Sequence, residues 1–244
     1  MDNSIYSALA GQVGTFNNMN TVANNVSNAN TSGYKSDTMV FNTYLTKDVH
    51  DNNTMPQDFS TVADDKTGAM HVTSRPLDVA ISGQGMFIVQ TPVGVRYTRN
   101  GNFQKNADNI LVTAQNYPVL SIEGNQVVFQ ETDTDVRIYQ NGAVYAIGPT
   151  DTQYQPRGVI GVAAFSNPKL LRKAGDNLMT SDVDGVESDS FTVTQGALED
   201  SNVEGIMEMT RMIELQRKAE MTSSLIEGIY SVHKTAYRAI SKQN

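Results

Sequence analysis

The feature that most constrains this chain is a change of hydrophobic period along it. From Ile5 the apolar positions Ile5, Leu9, Phe16, Met19, Ala23 and Val26 alternate between spacings of four and three, with Gln12 as one polar member. That is the seam of a heptad helix. A second seam runs near the other end through Met209, Met212, Gln216, Ala219, Ser223, Ile226, Tyr230, His233, Tyr237 and Ile240. Between the two the period is two. Leu77, Val79 and Ile81 alternate with Asp78 and Ala80, and short apolar runs follow, separated by turns. The pattern reads as an α+β chain, with long N- and C-terminal helices packed together as a coiled-coil-like domain and a β-rich middle domain.

The helix ends carry their own signals. Asn17, Asn18, Asn20, Asn24 and Asn25 weaken the first helix, and Asn28 to Gly33 closes it with turn chemistry. Ser201 and Glu204 fit a capping box opening the second. Glu208 with Arg211, and Glu214 with Lys218, stand at supporting separations. At 1.5 Å per residue the C-terminal helix should be roughly 50 Å long. In the middle, Ser82-Gly83-Gln84-Gly85 and Thr91-Pro92-Val93-Gly94 are expected turns, and Asn141-Gly142 is an expected type I′ hairpin turn. Gly158 to Phe165 reads as one strand. The expected organisation is 1–36 with 200–244 as the helical domain, 37–74 with 181–199 as extended linker, and 75–180 as the β-rich domain.

Apolar side chains on the second helix spread beyond one seam, to Ile206, Met207, Ile213, Leu215, Met221, Leu225 and Ile229. A helix apolar on several faces needs neighbours on several faces, and other copies of the same chain could supply them. An intramolecular stalk, or a helical layer over the β domain, satisfies the same pattern from physics alone. The expected assembly interface is Ile5, Leu9, Phe16, Asn24, Asn25, Asn28, Met209, Met212, Ile213, Gln216, Ile226, Tyr230 and Tyr237. The three asparagines serve equally as caps or as bridges to a neighbour. Gly33, Gly83, Gly85, Asn141 and Gly142 are turn residues.

Composition narrows the classes of function. The formal net charge is −8, and no Lys/Arg cluster stands free of acidic residues, which argues against nucleic acid as a partner. There is no cysteine, so disulfides, thiolate metal sites and cysteine nucleophiles are excluded. No apolar run is long enough to insert in a membrane, and no basic stretch leads an apolar one as in a cleaved signal peptide. Ser32 and Lys35 match S-x-x-K, and Lys66-Thr67-Gly68 matches K-T-G, but spacing and context fit a penicillin-binding enzyme poorly. Asp182-Val183-Asp184-Gly185 is a turn rather than a calcium loop. Gly83-Gln84-Gly85 is no dinucleotide fingerprint. Neither catalysis, a cofactor nor a metal is expected.

Ala23-Asn24-Asn25-Val26-Ser27-Asn28-Ala29-Asn30-Thr31-Ser32-Gly33-Tyr34-Lys35 resembles the N-terminal signature of the flagellar rod and hook proteins, with Val26 and Ser27 as mild departures. Pro76 to Phe87 and Tyr97-Thr98-Arg99-Asn100-Gly101-Asn102-Phe103 are similar to the next two motifs of that family. Gln195 to Val203 and Glu208 to Arg217 resemble its C-terminal signature, with Ala219 where Tyr is usual. The opening residues and the moderate length look most like the proximal rod type, with the distal rod type a close second. The resemblance implies an inner tube of terminal helices with the β domain outward. It implies copies of the same chain and other rod proteins as partners, and export by the flagellar type III apparatus without a cleaved signal peptide. It also implies a place in the periplasmic rod and transmission of torque from motor to hook. The alternative from a different class is a secreted β-rich binding module on a helical stalk.

Overall fold

A computed structural model describes residues 2–45, 54–167, 171–183, 185–187 and 190–241. Helix α1 spans Asp2–Ser27 and helix α2 spans Gly205–Ser241. Between them come β1 (Asp37–Leu45), β2 (Thr54–Ala63), β3 (Met70–Val72), β4 (Val79–Gly83), β5 (Met86–Thr91) and β6 (Gly94–Thr98). Then follow β7 (Phe103–Lys105), β8 (Leu111–Thr113), β9 (Val119–Leu120), β10 (Asp135–Ile138), β11 (Ala143–Ile147) and β12 (Gln155–Val159). The last are β13 (Val162–Ala164), β14 (Arg172–Lys173), β15 (Met179–Thr180), β16 (Val186–Glu187), β17 (Phe191–Gln195) and β18 (Ala197–Glu199). Two helices around a β-rich middle make the chain α+β.

The elements form two compact units. One holds α1, the β1–β2 ribbon and α2; the other holds 28–36 and Ala63–Val203. In the helical unit, α2 has 37 residues, about 55 Å at the usual rise. Its start differs from expectation. Ser201 Oγ accepts from the Val203 N–H, and the first helical bond runs from Glu208 N to Glu204 O. The hydroxyl is therefore used in a local turn before the helix, and no capping box forms. Glu208 and Arg211 do pair, at 2.9 Å.

The β unit is organised around β5. Met86-Phe87-Ile88-Val89 lacks alternation because both faces of that strand are covered, as a central strand requires. Phe87 and Val89 enter one core with Ile81, Phe103, Leu111 and Val144. Ile88 enters a second with Tyr97, Leu120 and Met179. Phe87 meets Phe103 edge to face at 5.0 Å between centroids, a favoured aromatic geometry. β5 and β6 form the hairpin expected at Thr91 to Gly94.

Three other expectations change. Gln140-Asn141-Gly142 is a three-residue connection in which Gly142 alone has positive φ, +83°, so the Asn-Gly type I′ turn is replaced by a turn ending in a left-handed glycine. Gly142 N donates to Tyr139 O, and a Cβ on Gly142 would lie 2.5 Å from the Ile160 carbonyl. The strand expected over Gly158 to Phe165 is two: β12 pairs with β11, while β13 pairs with β5. The chain changes sheet at Gly161, where a Cβ would meet Ile122 N at 2.6 Å. Finally, the stretches expected as linker are paired. β1 and β2 form a ribbon, β18 pairs with β3, and β17 pairs with β4 over five residues. Residues 46–53 lie outside the described residues.

Candidate assembly interface

The helices meet along a mixed stripe in which small and polar side chains stand among apolar ones. On α1 the inward positions include Gln12, Thr15, Met19, Val22, Asn25 and Val26, with Val22 only 1% exposed. On α2 they are Met212, Leu215, Ala219, Thr222, Ser223, Ile226, Ile229 and His233, of which Leu215 and Ala219 are buried. Gln12 Nε2 donates to Ser223 Oγ at 3.0 Å between the two helices. The inward positions recur at spacings of three and four, but turned from the expected ones. Met212, Ala219, Ser223, Ile226 and His233 are shared, whereas Leu215 and Ile229 turn inward in place of the exposed Gln216 and Tyr230, and Thr222 joins Ser223. The same turn occurs on α1, where Thr15 and Val22 replace Phe16 and Ala23.

What the turn leaves outside is large and apolar. Leu9, Val13 and Phe16 are exposed on α1; Ile206, Met207, Met209, Ile213, Met221, Leu225 and Tyr230 are exposed on α2. Ile206 reaches 82%. Among the residues expected at an interface, Leu9, Phe16, Asn24, Met209, Ile213, Gln216 and Tyr230 are exposed. Asn28, Met212 and Ile226 are half-buried. The side chains of Ile5 and Tyr237 lie outside the described residues. No charged residue occurs between Asp2 and Lys35, so α1 beyond its first residue presents only neutral groups.

Asn25 does a different job from a surface bridge. It is 1% exposed, its Nδ2 donates to Asp37 O at 2.9 Å and to Glu208 Oε2 at 3.3 Å, and its Oδ1 accepts from Asp37 N at 2.9 Å. One amide thus holds the end of α1, the start of β1 and the first turn of α2. Asn28 performs turn chemistry, its Oδ1 accepting from Thr31 Oγ1.

The β unit contains a charge cluster that sequence reading missed. Glu199 is 1% exposed and accepts from Lys35 Nζ at 2.8 Å, from Arg99 Nε, and from the Gly68 N–H at 3.0 Å. Lys35 Nζ also donates to Lys66 O at 2.6 Å, so the S-x-x-K lysine is spent inside an ion pair. The Arg99 guanidinium continues to the carbonyls of Ile81, Gly83 and Gly85. Gly83 and Gly85 have φ of +102° and +137°, which turns those carbonyls inward as the expected turn requires. Gly33 is fixed by the same cluster. Its φ is +68°, its N–H donates to Glu199 O at 2.7 Å, and a Cβ there would lie 2.4 Å from the Arg99 backbone. Burial pushes the Glu199 carboxyl upward, but Arg99 and Lys35 outweigh it and hold its pKa below the ordinary value. Burial also dominates at Lys35, holding its ammonium below the usual lysine range although Glu199 pulls the other way. The available signal was that Lys35, Arg99 and Glu199 each sit inside a different family-like motif.

Such a molecule, with its largest buried charge cluster paired and large apolar side chains left outside, has the character of a structural subunit. The comparisons agree. Residues 5–35 match the profile described as flagella basal body rod protein, 80–146 the flagellar hook protein FlgE/F/G D1 domain, and 194–231 the flagellar basal body rod FlgEFG protein C-terminal. The chain is 32% identical over 252 residues to the flagellar basal-body rod protein FlgF of Caulobacter vibrioides, covering 100% of both chains. It is 30% identical to FlgF of Salmonella typhimurium, covering 94% of each. It is 28% identical to the rod protein FlgG of Bacillus subtilis, covering 91% of this chain and 93% of that one. The chain belongs to the flagellar basal-body rod family, FlgF type. It is a structural protein of the rod and not an enzyme.

Proposed function

We propose that this chain is a subunit of the proximal rod, polymerising through α1 and α2 with copies of itself and of neighbouring rod proteins. The helices of one copy pack as a coiled-coil-like pair, and further copies cover the faces that this pairing leaves open. A tube built in this way transmits torque from motor to hook. Its subunits leave the cell through the flagellar type III apparatus, without a cleaved signal peptide, and assemble in the periplasm.

One observation carries this reading: beyond the side chains the two helices bury against each other, many large apolar ones stay in water. Leu9, Val13 and Phe16 on α1, with Ile206, Ile213, Met221 and Leu225 on α2, are exposed in a single copy. Covering each such side chain is worth about 1.5–3 kcal/mol, so several covered together favour association between copies. The test is deletion of the gene in its source bacterium. External flagella should vanish, return with the full-length protein, and stay absent with a chain ending near Ser201. Normal swimming after deletion, in a strain with no second copy of the gene, would refute the proposal.

A further inference from the structure

The β unit is closed by its own last segment. β17 and β18 are separated by more than a hundred residues from the strands they pair with, β4 and β3. The contacts go beyond strand pairing. Val193 is 2% exposed in the main core, and its N–H donates to Gln140 O. Gln195 Nε2 donates to Pro76 O and Val136 O while its Oε1 accepts from Ile138 N. Gly196 N donates to Asp78 O, and Asp200 N to Ala69 O. Asn202 receives the Ser36 N–H and donates to Asp64 O and Lys66 O. Glu199 adds the countercharge for both Lys35 and Arg99.

Without this segment the remaining β residues would hold two buried cations and no carboxylate between them. β3 and β4 would also lose the partners to which their backbone groups bond. Burial of an unpaired charge is strongly unfavourable, so folding of 28–190 alone is opposed at the place where its motifs meet. A core reached through such distant pairing also forms late, since chain closure precedes the contacts that reward it.

We infer that residues 191–202 are a latch, whose arrival completes the β unit and before which the rest of that unit, 28–36 and 63–190, stays open. In a chain delivered N-terminus first, the latch comes after four-fifths of the residues. The β unit is then held in an extended, passable form until nearly the whole chain has been delivered. That timing serves the export proposed above, yet the latch is a property of the fold and can fail while the rod reading stands.

Native-state hydrogen exchange on the intact protein tests it. The amides of Val193, Gly196 and Asp200 should exchange through the same opening as those of Ile88 and Val89 in β5, with protection agreeing within about tenfold. Exchange in 191–202 about a thousandfold faster than in β5, with β5 still protected, would overturn the latch, because the rest would then persist without it. A second measurement follows the full chain during synthesis, halted at successive lengths and pulsed with protease. Resistance of the β unit should appear only once residue 203 is outside the ribosome. Resistance with residue 190 as the last one outside would also overturn it.

Discussion

The two units solve the problem of burial in opposite ways. The β unit draws Phe87, Phe103, Ile81 and Leu111 into a closed core and pairs most of the charges it buries, with Glu199 between Lys35 and Arg99 and Asp133 held by two bonds of 2.6 Å from Arg157. The helical unit puts Thr15, Val22, Asn25 and Ala219 inside and leaves Phe16, Ile206 and Leu225 in water. One unit has a closed core of its own, whereas the other leaves many of its largest apolar side chains outside. The lesson is that incompleteness shows less in how hydrophobic a helix is than in which of its apolar positions the chain declines to cover.

The largest effect that would break this contrast is at Glu199. Glu199→Leu alone should cost the β unit about 3–5 kcal/mol, because Lys35 and Arg99 then stay buried and uncompensated. The triple change Lys35→Met, Arg99→Met, Glu199→Leu should recover part of that loss, the remainder being the carbonyls of Ile81, Gly83, Gly85 and Lys66 that lose their donors. Urea midpoints followed by circular dichroism decide between the two, and equal losses in single and triple variants would deny that charge is what matters. Next in size is Asn25→Ala, expected to loosen the helical unit by about 1–3 kcal/mol as the Asp37 backbone loses its partner. Amide exchange at Asp37 and in the first turn of α2 should quicken while β5 is unchanged.

Acid sharpens the comparison further. Glu199 has its folded pKa below the ordinary 4.5, so its contribution is complete above that value and is lost as pH falls through the folded one. Lys35 works in the opposite sense. Its folded pKa is below 10.5, so its burial costs stability at neutral pH, and the cost is relieved as pH rises toward 10.5. Urea midpoints below pH 4.5 should therefore fall more steeply for the wild type than for Glu199→Leu. The smallest effect on the isolated protein is expected at Phe16→Ser, within about 0.5 kcal/mol. The same variant should abolish complementation in a motility assay, and a destabilised but motile variant would reverse the contrast.

How far the residues alone disclosed this architecture depends on range. Local signals were legible: the two helices, the turn chemistry from Asn28 to Gly33, the hairpin at Thr91 to Gly94 and the Glu208–Arg211 pair all rest on neighbours within a few positions. The pairing of β17 and β18 with β4 and β3 was hidden, since Thr192 and Ser82 lie far apart and neither advertises the other. The helical seam was half legible. Reading the largest apolar residues as the buried ones selected Phe16 and Met209, yet the pair settles on Thr15 and Val22 of α1 and on Leu215 of α2, with Ala219 as expected. The charge cluster was missed because each member was weighed inside its own motif. A carboxylate and two cations placed one per motif would have suggested that the motifs converge.

The absence of ions from α1 has a consequence for whatever lies against it. From residue 3 to residue 27 the helix offers hydroxyls, carboxamides and apolar groups, and no Asp, Glu, Lys or Arg. A surface of that kind casts no long-range field, so it neither steers an approaching body nor weakens when ionic strength rises. Alignment along it is left to shape and to short-range amide contacts. A joint made on this face would therefore be slow to find its mate, indifferent to brine, and exacting about fit once closed.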